Sequence, residues 1–200
     1  VLSRVIHRGT GAFHFKGTIG SPGDVLVDST NQSGAFFADG YIRNLFVKNG
    51  RVIVLPTGFL AVYCVVTGPS SHLTIQAGSG DMPVYLYIDG GTCVNKRALT
   101  SSSRVFVASG HLIQEGVMPD SARIFVASAG RMTYTPNVTL TAAHNPDVLN
   151  FGSLDVGGTH QAVEPNSLII GPDAGVLGDP VTGAAQSALS TQIDLRKDYP

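Results

Sequence analysis

Tryptophan is absent, glutamate occurs only at Glu115 and Glu164, and lysine only at four positions of 200. Glutamate and lysine are the ordinary surface residues of helices, so their scarcity excludes a mainly helical chain and predicts an all-β one. An excess of charge of one sign is missing as well, with a formal net charge of -1 at pH 7. Without surplus positive charge there is little counterion release to gain from a phosphate backbone, so no nucleic-acid partner is expected. No uninterrupted apolar run is long enough to span a bilayer and no basic-then-apolar leader opens the sequence, so no membrane partner is expected either. Charged residues are 14% against 43% hydrophobic, a balance that excludes wholesale disorder.

Reactive motifs are also lacking. There is no G-x-S-x-G elbow, phosphate-binding glycine loop, H-E-x-x-H helix or paired dinucleotide-binding glycines. The six histidines (His7, His14, His72, His111, His144, His160) are scattered, and Cys64 and Cys93 form no CxxC. Two such cysteines are expected as buried thiols. The sequence therefore predicts no catalytic residues, no metal site and no cofactor, and the chain reads as a non-enzyme.

What is present is a repeat. Leu45-Phe46-Val47-Lys48-Asn49-Gly50, Leu86-Tyr87-Ile88-Asp89-Gly90-Gly91, Val105-Phe106-Val107-Ala108-Ser109-Gly110 and Ile124-Phe125-Val126-Ala127-Ser128-Ala129 share one grammar. Cys64-Val65-Val66-Thr67-Gly68 is a degenerate copy. First positions at 45, 64, 86, 105 and 124 are separated by 19, 22, 19 and 19 residues. The same step extends back to Leu26 and resumes at Leu149 and Leu168. In each copy three strand-forming residues precede a polar residue and glycine, which suit a sharp corner. A second apolar stretch follows, as in Arg51-Val52-Ile53-Val54 or His111-Leu112-Ile113.

Strand, corner and strand at a fixed period near twenty mark a β-solenoid. About 19 residues per coil and seven or eight coils give a body roughly 35 Å long at strand spacing. Phe46, Val65, Tyr87, Phe106 and Phe125 then lie above one another as a ladder, facing either the interior or a partner. The alternative is a β-sandwich or jelly roll, since Lys48-Asn49-Gly50-Arg51 is by itself a hairpin signal. The polar corners at Asp28, Asn49, Thr67, Asp89, Ser109 and Ser128 occupy equivalent positions and predict a polar ladder. Asp28 and Asp89, three coils or roughly 14 Å apart, are too widely separated to serve as a glycosidase pair.

The expected organisation is an N-terminal cap or arm over 1–18, a repeat body over 19–135 and an extended C-terminal arm over 136–200. That arm carries repeated X-Pro breaks, and a short helix is expected from Ala184 to Ile193.

The Val-Phe-Val-Ala-Ser-Gly and Ile-Phe-Val-Ala-Ser-Ala-Gly copies resemble the coils of autotransporter passenger domains and of bacteriophage tail and surface proteins, over about residues 45–134. The resemblance implies a β-solenoid with a binding or structural role. The sequence departs from passengers in its cysteines, fewer Ser, Thr and Asn, and higher apolar content. The expectation is therefore a virion structural protein of a tailed bacteriophage, foremost a capsid decoration (cement) protein, otherwise a tail or fibre component. It would form a homo-oligomer, a trimer, through Phe46, Tyr87, Phe106 and Phe125 and would meet the major capsid protein or other virion subunits. The alternatives are a secreted or cell-surface adhesin and a carbohydrate-binding tail component.

Overall fold

The computed structural model describes residues 2–29, 34–79, 82–119, 122–135, 147–150, 152–156 and 168–170. All regular structure among them is β-strand. In chain order these are β1 (Leu2–His7), β2 (Phe13–Asp28), β3 (Ala35–Val54), β4 (Phe59–Thr67), β5 (Ser71–Ile75), β6 (Tyr85–Asn95), β7 (Arg104–Gln114), β8 (Arg123–Tyr134), β9 (Asp147–Asn150), β10 (Ser153–Val156) and β11 (Leu168–Ile170). Every pairing between them is parallel. This is a β-solenoid of about six turns with about 20 residues per turn. A sandwich or jelly roll, built from antiparallel pairs, is excluded. The count falls short of the seven or eight coils read from the sequence, because regular spacing ends after β8. The positions at 149 and 168 contribute only the short strands β9 and β11.

Each coil has two long sides. On the first, Leu45, Cys64, Leu86, Val105, Ile124 and Val148 pair in series. On the second, Val52, Leu73, Cys93, Leu112, Met132 and Leu154 do the same. Nearly all these side chains are fully enclosed. Alternation puts every second side chain inside, so a coil on its own exposes an apolar edge that only its neighbours cover. Burial of a Val or Leu contributes about 1.5–3 kcal/mol, and the core is one continuous column. The third side is strand where β2, β3 and β4 begin. Higher up, Met82, Leu99, Met118 and Ala122 close the core from connecting segments.

Register corrects the reading at both ends. Val25, not Leu26, pairs with Leu45, and Leu26 pairs with Phe46. Likewise Val148 pairs with Ile124, and Leu149 with Phe125. The segment 48–51 is no hairpin: Gly50 (φ +96°) turns a corner within one strand, and the halves of β3 pair onward with β4 and β5. The 1–18 segment joins the stack, β1 lying on β2 and the start of β2 on β3. Of the 136–200 segment, β9 and β10 pair with β8, and β11 with β9. The helix expected over 184–193 lies outside the described residues.

Candidate interaction face

The first long side presents three columns of outward side chains. The middle column runs Ile6, Leu26, Phe46, Val65, Tyr87, Phe106, Phe125, one residue per level, and backbone pairing carries it on to Leu149. These alternate with core residues such as Leu45 and Val47, or Val105 and Val107, which are fully buried. The ladder thus faces away from the core, which settles the orientation that the sequence left open. Tyr87 and Phe106 stack with ring centroids 5.3 Å apart and planes 5° from parallel. Phe106 and Phe125 follow at 4.8 Å and 6°. That spacing is the coil rise, so the ring planes lie across the solenoid axis and the ring edges point outward. Phe106 is only 8% exposed because its neighbours cover both of its faces.

Two residues earlier along each strand stand Arg4, Asp24, Asn44, Tyr63, Tyr85, Arg104 and Arg123, again in register. Tyr63 and Tyr85 stack at 4.9 Å. Asn44 Nδ2 donates to Asp24 Oδ1 at 2.9 Å, and Arg104 Nη1 donates to the Ser103 carbonyl at 3.1 Å.

On the other flank lie the polar corners. Asn49 Nδ2 donates to Asp28 Oδ1 at 2.8 Å, and Ser109 Oγ to Asp89 Oδ1 at 3.0 Å. Lys48 Nζ is 3.7 Å from Asp28. The Asn49 hydrogen bond, aided by the Lys48 charge, holds the Asp28 carboxyl below its usual range. The expected polar ladder is present as far as Ser109, which pairs with Ala129 rather than Ser128 because of a bulge after Val107.

The face is not uniform. Where the middle column is aliphatic, at Leu26 and Val65, it sinks into a hollow of about 370 Å³ around Phe46. Arg4, Asp24, Lys48 and Thr67 form its rim. Where Tyr87, Phe106 and Phe125 follow, it rises into a ridge. Comparison of the chain with protein-family models, with curated proteins and with solved structures finds no match. The geometry therefore carries the functional argument alone.

All four aromatic residues singled out in the sequence, Phe46, Tyr87, Phe106 and Phe125, fall on this one column. Sequence reasoning missed Ile6 and Leu26 as its continuation, and the Asp24–Arg104 flank altogether. The signal for Leu26 was available: matching Val25 and Val27 to Leu45 and Val47 keeps β-formers inside and sets the register by alternation. Among the described residues no three His, Cys, Asp or Glu side chains gather as a metal cage. Cys64 and Cys93 are free and buried. Desolvation pushes both thiols up, Cys93 to about 12.

Proposed function

We propose that this chain is a non-enzymatic structural subunit of a tailed-bacteriophage virion, a capsid decoration protein or otherwise a tail component. It acts mechanically, joining identical copies through the ridge-and-hollow face, while other surfaces meet the major capsid protein or neighbouring virion subunits. The reading is carried by the outward ladder of edge-on rings. A parallel solenoid is rigid along its axis, and a side that presents an apolar strip flanked by charge suits protein–protein contact. Sugar recognition is less well supported by the same rings. A sugar stacks on a ring face, and the faces within the Tyr87–Phe106–Phe125 stack are already covered by neighbouring rings.

Light scattering at rising concentration, up to about 300 μM, is expected to show self-association. Phe106→Asp, which places a charge on the ridge, is expected to abolish it while the circular dichroism stays that of a β protein. A chain that remains monomeric throughout would overturn the assembly role. The virion setting has its own check: neighbouring genes are expected to encode portal, protease and major capsid protein. An upstream secretion signal with a downstream membrane barrel would replace it with the cell-surface alternative.

A further inference from the structure

We infer that this face is self-complementary and that two copies pair antiparallel about a two-fold axis passing at Val65, each ridge seated in the other's hollow. The inference rests on the self-association reading and specifies its partner, orientation and number. From Ile6 to Phe125 the middle column has seven levels and Val65 is the fourth: Ile6, Leu26 and Phe46 lie on one side, Tyr87, Phe106 and Phe125 on the other, and backbone pairing carries the column on to Leu149 beyond the proposed contact. Rotating a copy by half a turn about an axis along the central strand exchanges the two sides. Tyr87 then meets Phe46, Phe106 meets Leu26, and Phe125 meets Ile6, which is 47% exposed in the single chain. Phe106 and Phe125 meet smaller aliphatic side chains, Tyr87 meets the ring of Phe46, and the hollow is filled.

The flanks follow the same rule. Arg104 comes opposite Asp24, and Asp89 opposite Lys48. Neither Arg104 nor Asp89 has an ion pair within the chain among the described residues. One like-charged pair results, Arg4 with Arg123, three levels from the axis at the margin of the contact, where water screens it. A parallel arrangement, two-fold or three-fold, sets each level against its own. Ridge then meets ridge, hollow meets hollow, and Asp24 lies near Asp28. The contact spans about 29 Å by 13 Å at strand dimensions, roughly 400 Å² for each partner. That is small for a specific interface, so the association is expected in the micromolar range.

Sedimentation equilibrium is expected to give a dimer. Lys48→Glu and Asp89→Lys are each expected to weaken it about tenfold, and the double variant to restore it to within about threefold, since opposed charges couple across an interface. Thr67 copies sit across the two-fold, and facing sheets lie about 10 Å apart. Thr67→Cys is therefore expected to cross-link into dimers with a short bismaleimide, whereas Ser128→Cys is not. The native thiols are fully buried and do not compete. If the charge variants fail to fold, the Thr67→Cys cross-link decides alone. A trimer, or a dimer with neither charge rescue nor a Thr67→Cys cross-link, overturns the antiparallel pairing while leaving self-association through this face intact. A monomer at every concentration overturns both.

Discussion

Arg97 is 3% exposed, and its guanidinium works on backbone carbonyls. Nε donates to Gln76 O at 2.9 Å, Nη1 to Gly58 O at 2.6 Å and Nη2 to Leu55 O at 2.5 Å. Its own carbonyl accepts from Asn95 Nδ2 at 2.9 Å and Gln114 Nε2 at 3.0 Å, and Asn95 also donates to Gln114 at 2.9 Å. One side chain thereby fastens the third side of successive coils, where strand pairing has ended. Hydrogen bonds from a charged group contribute about 1.5–3 kcal/mol each, and lost partners stay buried. Arg97→Met is therefore expected to lower stability by more than about 3 kcal/mol. A reduced urea midpoint checks it, with Arg97→Lys intermediate.

His111 belongs to the same scale. Burial, with the Arg131 charge adding to it, depresses its pKa below 6.5, and Nε2 lies 2.8 Å from Thr133 Oγ1. In this window the unfolded chain binds more protons than the folded one, so stability rises with pH. The contribution is complete above about pH 6.5 and declines as the pH falls below that value toward the depressed folded pKa. His111→Gln is expected to flatten the slope of thermal stability between about pH 7 and 5. An unchanged slope would place the dependence elsewhere.

At the scale of the element, the corner decides whether a strand folds back or winds on. Gly110 has φ +81°, and a Cβ there would lie 2.6 Å from the Gly90 carbonyl carbon of the coil below. Both the backbone region and the close approach require glycine. Gly110→Ala is expected to cost more than about 2 kcal/mol, a positive-φ penalty together with displaced backbone. The denaturant midpoint checks it. These corners were legible as glycine behind a polar residue, yet their sense was not. Lys48-Asn49-Gly50-Arg51 is as good a hairpin signal as a corner signal, because local turn chemistry is shared by both. The equal steps at 45, 64, 86, 105 and 124 broke the tie, and the pairing of Leu45, Cys64, Leu86, Val105 and Ile124 follows them. The register failed where the spacing changed, one residue off at Leu26 and at Leu149.

For the whole molecule, the stacked coils create a surface that no single coil possesses. Phe106 is an ordinary strand residue until Tyr87 and Phe125 close on its two faces. Leu26 and Val65 are ordinary strand residues until their places on either side of Phe46 make a hollow. The concentration dependence expected of the proposed dimer belongs here, because roughly 400 Å² for each partner holds two isolated copies weakly. Several such contacts in an ordered array act together far more strongly.

The sequence by itself determined the all-β class, the coil length and the membership of the aromatic ladder, because these follow from alternation and period along the chain. Only the tertiary structure decided that the ladder faces outward, that Ile6 and Leu26 continue it, and that Asp24, Lys48, Asp89 and Arg104 flank it in that order. Those relations join residues a full turn or more apart, and they depend on register between coils, which one bulge or one altered step can shift without changing any local pattern.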